Sequence, residues 1–157
     1  MNNYYVRNTL NQIHIAVKST IEIMDKLDST DLDMKPTDNK FSIRQLLAHI
    51  SLICKADQLI SDEATADEMR TFYTSNSLQS IADMKEALLS NFALLENRYL
   101  EYTEDELVQK MTSYWGVSYT RFEWLLEISS HIYHHRGQLL AMLVHCVGKD
   151  PEVALFE

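Results

Sequence analysis

Residues 120–147 read TRFEWLLEISSHIYHHRGQLLAMLVHCV. Thr120 with Glu123 three residues later is a capping box, the signature of a helix start. Phe122, Trp124, Leu125, Ile128, Ile132, Leu139, Met142, Leu143 and Val147 then recur at helical spacing over a wide arc. Gly148 is a suitable stop, and Pro151 follows it. The stretch predicts one long helix over 121–147 with most of its circumference meant for burial. Such a helix needs other helices around it.

Three more segments supply them. Over residues 3–27, Leu10, Ile13, Val17, Ile21 and Met24 form one stripe. Over 43–62, Ser42 and Gln45 make a second capping box, and Leu46, Leu47, Ile50, Ile53, Cys54 and Ile60 give the apolar face. Over 78–101, Ile81, Met84, Leu88, Phe92, Leu95 and Tyr99 stay in register. Residues 28–40 and 63–77 read as polar connections, the second with room for local helix. Thr103 and Glu106 form another capping box that opens a short helix to about residue 111, with the acids at 104–106 suiting its N-terminal dipole. Residues 112–119 read as a loop. No strand signal occurs, so the prediction is an all-α four-helix bundle, one domain over 1–157.

Composition agrees. The chain has 157 residues with only 3 Gly and 2 Pro, against roughly 11 and 8 at average usage. Sheets joined by tight turns need more of both. The formal net charge of −9 argues against a nucleic-acid partner, whose phosphates are held by Lys and Arg, and against an anionic membrane surface. No apolar run approaches the roughly 18 residues of a membrane span. The start at residues 1–5 lacks the pattern of a secretory signal, and Cys54 and Cys146 both fall in apolar helical pattern, so two buried thiols in the cytoplasm are expected.

Chemistry concentrates in the last helix. His131 and His135 are four residues apart and share one face with Ile128, Leu139 and Met142, so both rings should point inward and could chelate one divalent metal. By itself that pair equally suits surface or core histidines. His134 diverges from it, His145 lies more than two turns beyond His135, and His14 reads as a core or boundary residue. His49, on the second helix, continues the side traced by Leu46, Ile50 and Ile53 and can project into the same interior. Three buried imidazoles without partners are costly unless something binds them. Three His plus water is the arrangement of a catalytic zinc site, and the same set suits nickel, cobalt, copper or iron.

Ile132 stands where a zinc protease needs its Glu, so that mechanism is disfavoured. Glu127, four residues from His131, and Asp57, with no His at the required spacing, make a weak case for di-iron carboxylate chemistry. No general base is evident; Tyr133 and Glu127 are positional candidates only. Gly137 suggests close approach of another element, Arg136 a solvated or salt-bridged surface position, and Gln138 a hydrogen bond supporting the site. Tyr114, Trp115 and Tyr119 either roof a pocket or seal the core.

His-x-x-x-His-Arg-Gly-Gln at 131–138, Ser-Ile-Arg-Gln-Leu-Leu-Ala-His at 42–49 and the Trp-Gly loop at 115–116 together resemble the DinB/YfiT-like family of metal-dependent enzymes. The resemblance covers essentially the whole chain. It implies up-down-down-up topology and one divalent transition metal, zinc or nickel foremost, on His49, His131 and His135. It also implies homodimers, a small-molecule substrate and, in some members, a low-molecular-weight thiol used by a transferase or isomerase. The expected function is a metal-dependent enzyme of thiol-dependent transferase or hydrolase type. The alternative is a metal-stabilised dimeric binding module.

Overall fold

A computed structural model describes residues 3–157. Its helices are α1 (Tyr4–Met24), α2 (Ile43–Ser61), α3 (Ala66–Ser75), α4 (Ile81–Glu101), α5 (Glu104–Leu107) and α6 (Arg121–Met142), with a short hairpin of β1 (Lys110–Thr112) and β2 (Ser118–Thr120) before α6. The long helices α1, α2, α4 and α6 form the bundle. Its sides are α1 against α4, α4 against α2, α2 against α6 and α6 against α1. Thus α1 and α2 sit on a diagonal, which the long link 25–42 is able to cross. Ile13, Val17, Ile50, Leu88, Leu95, Leu125 and Ile132 fill the shared interior with essentially no exposure. No helix among the described residues is long and apolar enough to cross a membrane.

Side-chain caps set where the helices begin. Ser42, Thr65, Thr103 and Thr120 each make both halves of a capping box, satisfying two backbone donors apiece. For α2 and α6 this fixes the register in which the histidines face the interior.

One sequence expectation is filled in here and three change. The polar connection at 63–77 contains α3, whose start Thr65 and Glu68 announce. The helix opened by Thr103 ends at Leu107, and Met111 lies in β1. The loop at 112–119 is a hairpin in which Lys110 pairs with Thr120 and Thr112 with Ser118; strands of three residues are too short for an alternation to show. The last helix changes at Leu143 into a π-helical turn running to Val147. That turn carries one more residue per hydrogen-bonded ring than the α-helix, which rotates the face. Cys146 is therefore exposed, while Cys54 is buried, and both are free thiols.

Arg136 and Gly137 also differ from expectation. Arg136 is buried, held through Nη1 to Ser19 Oγ at 2.7 Å and to the Leu155 carbonyl at 2.6 Å. Gly137 is exposed, and a Cβ added there would meet nothing within 4 Å; no element approaches it. Gly137→Ala is expected to stabilise the fold by about 1 kcal/mol through helix propensity alone. Chemical denaturation of the two proteins checks this, and an unchanged or lower midpoint would refute it.

Candidate metal centre

The packing of α2 on α6 brings His49, His131 and His135 together. His49 Nε2 lies 3.3 Å from His131 Nε2. The ring centroids form a near-equilateral triangle: 5.2 Å for His49–His131, 4.6 Å for His49–His135 and 4.8 Å for His131–His135. One nitrogen from each ring lies within 4.8 Å of the others, and all three side chains are half-buried. The inward projection expected of all three histidines is what the fold produces.

The outer nitrogens of the α6 pair are held by acceptors. His131 Nδ1 donates to Asp57 Oδ2 at 2.7 Å, and His135 Nδ1 donates to Gln138 Oε1 at 2.8 Å. An imidazole whose Nδ1 carries its proton presents a lone pair at Nε2. The His131 Nε2 faces His49 Nε2, and the His135 ring stands 4.6 Å from that of His49 between centroids. Burial, then repulsion from His135 and His131, pulls the His49 pKa down to about 4, so this ring is neutral at pH 7. Burial also lowers His135. At His131 burial lowers the pKa as well, but the Asp57 hydrogen bond and charge outweigh it and raise the net value. A proton competes for the centre most strongly at His131.

Asp57, weighed in the sequence only as a di-iron carboxylate without a His at the required spacing, is the supporting residue that the sequence reading missed. Its partner histidine comes from α6, not from its own helix. The available signal was position: Asp57 continues the buried stripe at i+4 from Ile53 and i+7 from Ile50, and an acid there needs a partner. Glu127 lies beside it, and Asp57, Glu127 and His131 form a second set of donors within 4.8 Å. In this set Asp57 holds the outer nitrogen of His131, the one turned away from His49.

Burial, then the charge of Asp57, pushes the Glu127 carboxyl up to about 7, and its Oε2 is buried without a hydrogen-bond partner. A carboxyl raised this way stabilises the fold fully below its ordinary pKa near 4.5 and loses that contribution as pH rises through 7. Between pH 5 and pH 8, metal-free wild type should lose about 1–2 kcal/mol more stability than Glu127→Gln, roughly half the unscreened linkage value because the carboxyl is partly exposed. Urea melts at the two pH values measure this; parallel losses in the two proteins would contradict it.

The remaining candidates lie elsewhere. His134 is exposed, with its ring 4.9 Å from that of His135, and it joins no donor set among the described residues. His14 is exposed and stacks on Phe92, and His145 is exposed on the π-helical turn. Tyr133 turns away to α1, donating its hydroxyl to the Gln12 carbonyl at 3.0 Å. Tyr114 and Trp115 are half exposed at the hairpin turn, so they do not seal the core. That task falls to Trp124, buried with Ala56, Ile60 and Met69 and anchored by Nε1 to the Met111 carbonyl.

A four-helix bundle with three histidines facing its interior defines the class of protein. A profile of the DinB superfamily matches residues 12–139, and the chain belongs to that superfamily. A DinB-family protein from Exiguobacterium sibiricum shares 28% identity over 98% of this chain and 99% of its own, with a TM-score of 0.87. A DinB-like protein from Bacillus subtilis shares 17% identity over 96% and 97% of the two chains, with a TM-score of 0.70. The mycothiol-dependent maleylpyruvate isomerase has the same fold at 13% identity and a TM-score of 0.65, over 85% of this chain and 60% of the isomerase. Comparison with curated proteins gives no match.

Proposed function

We propose that this chain is a metal-dependent enzyme acting on a small molecule. In this reading His49, His131 and His135 hold one divalent transition metal, zinc or nickel foremost, and a low-molecular-weight thiol serves as cosubstrate. The reaction is of thiol-dependent transferase or hydrolase type. The observation that carries the proposal is the convergence of three imidazoles, two of which have Nδ1 held by Asp57 and Gln138 and so keep Nε2 free to bind. The 3.3 Å between the Nε2 atoms of His49 and His131 fits two ligands of one tetrahedral ion, whose nitrogens at about 2.0–2.1 Å from the metal stand about 3.3 Å apart. Three protein ligands leave a fourth position for water or a thiol.

A bound metal would supply Lewis acidity and lower the pKa of the water or thiol it holds. The chain supplies the rest. Asp57 fixes the tautomer and orientation of His131, and Gln138 does so for His135. Burial keeps His49 neutral and able to donate. Glu127 retains a proton close to neutral pH beside Asp57, where it balances the charge of the carboxylate pair. The fold shared with a mycothiol-dependent isomerase supports the thiol-dependent form of the reading.

The test is spectroscopic. Untagged protein purified without added metal should carry about one divalent ion per chain by elemental analysis. The cobalt-substituted protein, titrated with 2-mercaptoethanol, should gain a sulfur-to-cobalt charge-transfer band. Absence of stoichiometric metal would sink the site. Metal without that band would remove the thiol and leave the hydrolase form. A spectrum showing four protein ligands and no exchangeable position would favour the binding module.

A further inference from the structure

His49 also forms part of the wall of a cavity of about 750 Å³ between α2, α3 and the link before α2. That volume falls in the range of small-molecule sites. The cavity runs along α2 from Leu52 and His49 back to Ser42; the seven residue steps from Ser42 to His49 rise about 10 Å. Its body is apolar, with Phe41, Leu52, Tyr73 and Leu78 on the walls. Phe41 and Tyr73 are 48% and 41% exposed, so both rings present apolar surface to the cavity that a ligand can cover. The Phe41 ring lies 6.0 Å from that of His49.

The end away from His49 is cationic. Asp33, Lys35 and Arg44 line it. Arg44 is fully engaged: Nε and Nη2 donate to Asp33 Oδ1 and Nη1 donates to the Gln79 carbonyl. That pairing neutralises Asp33 and leaves the Lys35 charge over. Lys35 has no ion pair or hydrogen bond among the described residues. Its backbone is held in place nevertheless, because Ile43 N donates to the Met34 carbonyl at 3.0 Å and Arg44 N to the Leu32 carbonyl at 2.8 Å. The N-terminal end of α2 adds its positive dipole at the same place. In a chain of net charge −9, one wall of one cavity carries surplus positive charge.

We infer that this cavity binds an amphipathic organic acid, with an aromatic or branched apolar body against Phe41 and Tyr73 and a carboxylate at Lys35. The opposite end of such a ligand reaches His49. The inference rests on the proposed enzyme only for what happens at that end; the binding itself does not need the metal.

Calorimetry on metal-free protein at pH 8 tests it with 4-phenylbutyrate and its uncharged amide as probes. The acid should bind about fivefold more tightly than the amide, the effect of one partly exposed ion pair. Lys35→Met should erase that preference and Lys35→Glu should reverse it. Tyr73→Ala should weaken both probes by about five- to tenfold. Equal affinity of acid and amide, a preference that survives Lys35→Glu, or no binding of either probe at millimolar concentration would overturn the inference. Acid-selective binding by a chain that never holds metal would sink the metal proposal and leave this one standing. A metal-loaded chain indifferent to both probes would do the reverse.

Discussion

Replacing His131 by alanine is expected to lower the affinity for a divalent metal by at least a hundred- to a thousandfold. Metal binding at a four-ligand zinc site is worth roughly 10–16 kcal/mol, so one ligand accounts for about 3 kcal/mol or more. His131 is the severest case because its ring meets both partners: His49 through Nε2 and Asp57 through Nδ1. Its loss removes a ligand and leaves the buried Asp57 carboxyl without the imidazole. Asp57→Asn should act through the same ring more mildly. Its side chain can turn an NH₂ toward Nδ1 and so favour the tautomer with the proton on Nε2, where the metal would sit. A supporting partner of this kind is worth about 10- to 100-fold in affinity. Competition with a chromogenic chelator at pH 7.5 gives both values. Stoichiometric metal retained at wild-type affinity in His131→Ala would overturn the assignment, and an Asp57→Asn effect as large as that of His131→Ala would mean that Asp57 is itself a ligand.

The second large effect concerns stability. Arg136→Ala is expected to destabilise the fold by about 2–3 kcal/mol, lowering Tm by roughly 5–10 °C. Arg136 is only 3% exposed. It donates to Ser19 on α1 and to the Leu155 carbonyl, and it packs 4.5 Å from the Tyr133 ring centroid and 5.1 Å from that of Phe156. Two charge-assisted hydrogen bonds and two cation–π contacts exceed this total gross, but the buried charge has a desolvation cost that truncation relieves. Burial accordingly pulls the Arg136 pKa below the ordinary arginine value. Residues beyond 153 should become protease-sensitive, since the side chain clasps the C-terminal segment onto α1 and α6. Arg136 lies about 140° round the helix from His131, so metal affinity should not change. A variant that melts with wild type would show that the clasp contributes nothing.

Much of this architecture could be read locally. A helix is an affair of near neighbours: its stripe repeats every three to four residues and its cap reaches three residues ahead. Hence α1, α2, α4 and α6 begin close to where Ser42, Thr120 and the apolar stripes place them. The pairing of His131 with His135 is legible for the same reason. The Thr65–Glu68 box of α3 was legible too, within a stretch whose polar composition left room for local helix without bounds. The hairpin was not, because its three-residue strands have no room to alternate. Cys146 was misplaced because a π-helical turn breaks the α-helical period on which a face assignment depends.

The sequence by itself determined four amphipathic helices, a histidine pair on one of them, and a third histidine able to face the same interior. Only the tertiary structure decided that Asp57 receives His131, that Glu127 crowds Asp57, that Arg136 is buried under Phe156, and that Lys35 faces a cavity beginning at His49. Each of those depends on which helix packs beside which and how far one slides along the other. Those quantities come from the summed packing of the whole interior, and no run of neighbouring residues encodes them.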